Sequence, residues 1–227
     1  MATNQVPAFL PSTHGFAFSN SWPRTPARRW NLGLVEIGIG NAALGLCGGM
    51  VFAVRDRFER GDVPPAALAG ASAPTPFTPL FDEIVDRQFA SFGTLWSVPL
   101  RFWIASALVS PERRLRDSIR RAWPAIRRDI DGGRLAMIGL VRRSCWNPLA
   151  VGMGHQVLGY RYAATSEQVT LGIYDPNHPG DDSVEIVVQR EPDGGVSLAQ
   201  STGEPLLGLL ALPWAPAKGR KSGSPAS

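Results

Sequence analysis

A thiol, an imidazole and a carboxylate can together make and break acyl bonds, and this chain offers one of each at a well-marked place: Cys47, His155 and Asp175. Cys47 lies in Asn41-Ala-Ala-Leu-Gly-Leu-Cys47-Gly-Gly-Met50, where a glycine-containing loop passes into a helical pattern. A thiol there faces unpaired backbone N–H groups and the positive end of the helix dipole, and both favour thiolate. Gly48 and Gly49 each cost a helix about 0.8–1.0 kcal/mol relative to alanine, so their use predicts a close approach to the backbone. His155 opens a strand in Gly152-Met-Gly-His155-Gln-Val-Leu, and Asp175 closes the next in Leu171-Gly-Ile-Tyr-Asp175-Pro-Asn. In an antiparallel pair the start of one strand lies beside the end of its neighbour. The carboxylate could then hold the imidazole in one tautomer while the imidazole serves the thiol. Asn41, six residues before Cys47, could donate with the Cys47 N–H to a developing oxyanion. Each residue also has a purely structural reading: a small cysteine opening a core stripe, a strand-edge histidine, an Asp-Pro turn, a loop-capping asparagine.

The elements that must position these groups follow from hydrophobic spacing. Cys47, Val51, Val54 and Phe58 form one stripe of a helix, with Arg55, Asp56, Glu59 and Arg60 off it and Gly61 as its stop. Helical pattern resumes over Leu80–Phe92 and Pro99–Val109. Ser110-Pro111-Glu112 then supplies a capping hydroxyl, a first-turn proline and an acid at the positive dipole end. In that last helix Leu115, Ile119, Trp123, Ile126 and Ile130 form the expected buried stripe, Pro124 should kink or split it, and Gly132-Gly133 ends it. Beyond Gly133 the period shortens. Leu135–Val141, His155–Tyr162, Val169–Asp175, Ser183–Gln189, Val196–Gln200 and Leu206–Leu212 read as strands separated by turn residues. Helices first and an antiparallel sheet second is an α+β order.

Taken together, these motifs resemble the papain-like cysteine peptidases, and among them the bacterial leader-processing (double-glycine) peptidases and their stand-alone relatives. That group has cysteine at a helix start, a helical lobe, a "G-H-x-hydrophobic" strand and then "Y-D-P". Here the order is Cys47, helices, Gly133-Arg-Leu-Ala-Met-Ile-Gly-Leu, Gly154-His155-Gln-Val-Leu and Tyr174-Asp175-Pro176. The likeness runs from about residue 34 to 188. It implies a papain-like fold with Cys47 as nucleophile, His155 as base, Asp175 as orienter and Asn41 at the oxyanion position, and no cofactor or metal. Asn41 stands where the family carries glutamine, Gly-Gly follows the cysteine, and Arg134 replaces the proline expected after Gly133. The implied activity is cleavage of a peptide or amide bond through a Cys47 thioester. Transfer of the acyl group to an amine, or a non-catalytic binding module on the same fold, are the alternatives.

Composition frames this reading. The chain has 227 residues, 44% hydrophobic and 19% charged, which suits one domain with extensions and excludes a disordered chain. The expected division is an irregular arm over 1–30, with Phe9, Phe16, Phe18, Trp22 and Trp30 available to pack. A domain over 31–213 follows (helical lobe 31–133, β lobe 134–213), then a disordered tail over 214–227, with Val63–Pro79 as a loop. No apolar run approaches the roughly 18 residues of a membrane span, and the N-terminus lacks a signal-peptide pattern, so the expected compartment is the cytoplasm, with free thiols rather than a Cys47–Cys145 bridge. The net charge of +4 is small, and only Lys218 and Lys221 are lysines among 23 basic residues, an arginine bias that GC-rich coding explains without a nucleic-acid partner. Arg113, Arg114, Arg116, Arg120, Arg121, Arg127 and Arg128 read as a solvated helical face. Asp175, Asn177, Asp181 and Asp182 read as a turn rather than a cation site, with His178 a lesser candidate base.

Overall fold

A computed structural model describes residues 1–31, 36–39, 41–62, 72–144, 146 and 154–217, with only the backbone described for 29–31 and 36–39. Cys145, the side chain of Trp30 and residues 63–71 and 218–227 lie outside the described residues. The architecture is α+β, helices packed against an antiparallel sheet.

The first thirty residues are not an irregular arm. Strand β1 (Ala2–Gln5) pairs antiparallel with the far half of the later His155 strand, Ala2 opposite Ala164 and Gln5 opposite Arg161. A one-turn helix α1 (Pro11–His14) follows. Phe9, Phe16, Phe18 and Trp22 are buried in the main core. The strand carries no apolar alternation, since all four of its residues are exposed; backbone pairing and a hydrogen bond from Asn4 Nδ2 to Asp131 Oδ1 at 3.1 Å hold it. Strands β2 (Arg28–Asn31) and β3 (Glu36–Ile39) form a separate antiparallel ribbon.

Helix α2 (Cys47–Arg60) begins at the cysteine and stops at Gly61, whose φ of +72° suits a residue without Cβ and whose N–H bonds the carbonyls of Arg57 and Phe58. It is buried on more than the expected stripe: every residue from Cys47 to Asp56 is inside. Arg55 stacks on Trp214, with Cζ 4.1 Å from the ring centroid. Asp56 pairs with Arg87 at 2.8 Å, and Arg87 also donates to the Ala215 carbonyl at 2.6 Å. The same contacts correct the expected tail: residues 214–217 are packed against α2 because the buried guanidinium groups need these partners.

Helix α3 (Pro79–Ser91) crosses α2 at the double glycine. A Cβ on Gly49 would lie 2.0 Å from the Ile84 carbonyl oxygen, and one on Gly48 would lie 2.3 Å from Ser91 Oγ. The close approach inferred from these glycines is therefore that of a second helix. Gly49→Ala should lower stability by about 1–3 kcal/mol, because the clash with α3 backbone outweighs the better helix propensity of alanine. A urea midpoint that stays level or rises in this variant would contradict the packing argument.

Helix α4 (Ser97–Trp103) ends in a π turn over Ile104–Leu108. Ser110 accepts from the Arg113 N–H and caps helix α5 (Pro111–Asp117). A second π turn, Ser118–Ala122, leads into α6 (Trp123–Asp131) and accommodates Pro124, so the helix is split as its proline predicts. The wider turn also shifts the buried phase. Arg114, Ser118 and Ala122 are buried in place of Leu115 and Ile119, which are half-exposed, whereas Ile126 and Ile130 are buried as expected. Arg114 thus leaves the arginine-rich face and donates to the carbonyls of Leu207 and Ala105.

The sheet contains β4 (Ala136–Val141), β5 (His155–Ala164), β6 (Gln168–Tyr174), β7 (Glu185–Arg190), β8 (Val196–Gln200) and β9 (Gly208–Ala211), in the order β8-β7-β6-β5-β4-β9. All pairings are antiparallel, with Leu158 opposite Tyr174 and a bulge between Gly159 and Arg161. Helix α2 packs on β5, which brings the start of the helix to the start of the strand.

Candidate active site

Cys47, the first residue of α2, is a free and buried cysteine, 9% exposed. His155, the first residue of β5, stands within interaction range of its thiol and shifts the titration of both groups, and the sulfur also lies 3.9 Å from the Gly154 carbonyl oxygen. The other side of the ring is taken: His155 Nε2 lies 2.6 Å from Asp175 Oδ1, leaving Nδ1 for the sulfur. Asp175 follows the last residue of β6, as the antiparallel register requires. A sulfur and, more than a hundred positions later in the chain, an imidazole and a carboxylate are thus brought together as one chain of neighbours.

Burial is the largest single influence on each member, and the neighbours together outweigh it. Desolvation alone would push the Cys47 thiol up, but the hydrogen bond and charge of His155 and the Gln156 N–H bring it below the ordinary thiol value. Burial would push the His155 imidazolium down, yet the Asp175 carboxylate and the sulfur raise it to about 9. Asp175, wholly buried, is brought down to about 2 by the imidazolium, the Asn177 N–H and Gln200, against the effect of burial. All three directions favour a thiolate–imidazolium pair backed by a carboxylate.

Asn41 takes a different position from the other three. Its Oδ1 accepts from the Ala43 N–H at 3.0 Å and caps a short 3₁₀ turn over Ala42–Leu44. It also lines the cavity that Cys47 borders. His178 is turned away from the thiol, with its Nε2 3.1 Å from Glu204 Oε1. Asp181 accepts from Ser183, Asp182 accepts from Ser12, and Asn177 accepts from Asn20, so this turn is tied to itself and to the N-terminal segment. Among the described residues no group of three or more His, Cys, Asp or Glu side chains is placed to hold a metal ion.

Several supporting residues carry no signature in the sequence. Asn20 ties the two halves of the site together. Its Oδ1 accepts from the Leu46 N–H at 2.7 Å and from Trp22 Nε1 at 3.0 Å, and its Nδ2 donates to Asn177 Oδ1 at 3.3 Å. Leu46, the residue before Cys47, and the loop after Asp175 are thereby held to one side chain. Behind Asp175, Gln200 donates to Oδ2 at 3.0 Å, and Arg142 stands 3.5 Å from the same oxygen. Gln156 gives its backbone N–H to the sulfur and is among the residues that line the cavity. Its place one residue past His155 in the sequence is the one signal that could have suggested it.

Compared with known proteins, the chain matches no family model, no curated protein and no solved structure. No helix among the described residues is long and apolar enough to cross a membrane.

Proposed function

We propose that the protein is a cysteine-dependent amidase or peptidase of papain-like type, forming a thioester at Cys47. The observation that carries this reading is the Cys47–His155–Asp175 contact chain at the junction of a helix start and an antiparallel sheet. In the first half-reaction the Cys47 thiolate attacks an amide carbonyl and the C–S bond forms. Oxyanion charge falls beside the Cys47 N–H at the helix start, with the Asn41 amide at the rim of the same cavity. His155 gives its proton to the leaving nitrogen as the C–N bond breaks. In the second half-reaction neutral His155 takes a proton from water, the resulting hydroxide attacks the thioester, and the acid leaves as Cys47 regains its thiolate. An amine in place of that water would give acyl transfer through the same intermediate.

The test is labelling with a peptidyl electrophile such as an acyloxymethyl ketone, read by intact mass. Wild type should gain one adduct on Cys47 at pH 6, and Cys47→Ala should gain none. Labelling that survives the substitution, or a Cys47 that reacts only as an ordinary thiol does, would defeat the assignment.

A further inference from the structure

Asp175 is wholly buried and offers its two oxygens to two sides. Oδ1 faces His155 Nε2 at 2.6 Å. Oδ2 accepts from Gln200 Nε2 at 3.0 Å, and Arg142 Nη2 stands 3.5 Å from the same oxygen. Arg142 follows the last residue of β4, and its side chain is only 13% exposed, so its charge sits inside the protein with the carboxylate. The same Nη2 donates to Gln200 Oε1 at 3.1 Å, which turns the NH2 end of that amide towards Asp175. On its outer side Arg142 Nη1 lies 3.6 Å from Glu204 Oε2, and Glu204 Oε1 lies 3.1 Å from His178 Nε2. The charged and titratable groups along this line are Cys47 on α2, His155 on β5, Arg142 after β4, Asp175 and His178 after β6, and Glu204 after β8.

Thioester formation changes the charges at one end of this line. Before attack Asp175 faces two cations, an imidazolium that can give up its proton and a guanidinium that cannot. Once His155 has protonated the leaving nitrogen, the ring is neutral, and a buried carboxylate with no counter-charge would be costly. Arg142 is then the cation still beside Asp175, on the oxygen that His155 does not use. A fixed positive charge at that far oxygen also weakens the hold of the carboxylate on the imidazolium, because a nearby like charge disfavours the charged ring. Glu204, drawing on the other end of the guanidinium, tempers this effect.

We infer that Arg142 is a positioning residue of the site: with Gln200 it holds Asp175 through Oδ2 and compensates that carboxylate after His155 has lost its proton, so that the ring is free to act as base in thioester hydrolysis. The inference rests on the proposed role of Cys47 as nucleophile. Arg142 acts through Asp175 and neither takes nor gives a proton.

The experiment uses the full chain and p-nitrophenyl acetate, whose acetyl group passes to the Cys47 sulfur as nitrophenolate leaves. Intact mass follows the acetyl adduct that Cys47→Ala lacks, and its first-order decay is measured across the pH range. In wild type the decay should quicken with pH as imidazolium becomes imidazole, a limb that His155→Ala lacks. Arg142→Met should move the midpoint of that limb up by about one unit, which slows decay about ten-fold on its acid side. Arg142→Lys keeps the charge and should leave the midpoint near that of wild type, whereas Glu204→Gln should move it down. A loosened Asp175 would act in the opposite sense in Arg142→Met, since a ring without its carboxylate partner loses its proton more easily. A midpoint unmoved or lowered in Arg142→Met therefore overturns the inference and leaves the Cys47 reading standing. Absence of an adduct on Cys47, or a wild-type decay with no limb that depends on His155, overturns both. Where Arg142→Met does not melt cooperatively, the direction of the Glu204→Gln shift decides.

Discussion

His155→Ala is expected to slow alkylation of Cys47 by iodoacetamide about a hundred-fold at pH 6. An ordinary thiol, with a pKa near 8.5, is only about 0.3% thiolate at that pH. In the variant only the Gln156 N–H remains to offset burial, which by itself pushes this thiol further up. In wild type the imidazolium holds the thiol below its ordinary value, so the thiolate is already present. The lower intrinsic nucleophilicity of a more acidic thiolate offsets part of the difference but not most of it. The pH dependence separates this from a general loss of structure. Wild-type reactivity should persist well below pH 8. As pH rises through about 9, His155 loses its proton, the pair dissolves, and the two proteins should converge. Because the two groups titrate together, the profile reports the pair rather than either residue alone. Parallel profiles for the two proteins across the whole range would show that the ring does not stabilise the thiolate.

Asp175→Ala is expected to lower stability by about 3–5 kcal/mol at neutral pH, the cost of leaving a buried charge partner uncompensated. The carboxylate is the common acceptor for His155 Nε2, the Asn177 N–H and Gln200 Nε2. The variant strands all three, and His155, no longer held near 9, should become neutral. The two proteins should also differ in how stability depends on pH. Asp175 has a depressed pKa, so its contribution is present above the ordinary value of 3.8 and is lost as pH falls towards about 2. His155 has a raised pKa, so its contribution is present below 6.5 and is lost as pH rises through about 9. Urea titrations from pH 2 to 10 should show both limbs in wild type and weaker ones in the variant, where the acid limb rests on other carboxylates held low, such as Asp131 and Glu204. Equal stability of the two proteins at pH 7 would show that the carboxylate is not the anchor of this network.

The elements were legible in the sequence wherever their signals are local. Ser110-Pro111-Glu112 sets a helix start, Gly61 a helix end, and Pro124 a break, through the conformational limits of those residues and their neighbours. The change of period after Gly133 marks the switch from helices to strands, because alternation and helical spacing expose different faces to one core. The register of two consecutive strands was enough to set His155 beside Asp175. Strand β1 was hidden because Ala2–Gln5 has no buried face, and Gln156, Gln200 and Asn20 were hidden because an amide side chain looks the same at a surface as in a polar network.

By itself, then, the chain determined its helix and strand order, its α+β class and a short set of residues able to do acyl chemistry, all properties of neighbours in sequence. Tertiary structure alone decided which of them meet. The π turn at Ser118–Ala122 re-phased a helix and buried Arg114, and the α2–α3 crossing made Gly48 and Gly49 contact residues. The packing of α2 on β5 brought a sulfur to a ring 108 positions away, with the register of β6 supplying the carboxylate behind it. These outcomes depend on distances between segments remote along the chain. Local propensity does not encode such distances, because the free energy that selects them arises from packing and desolvation across the whole core.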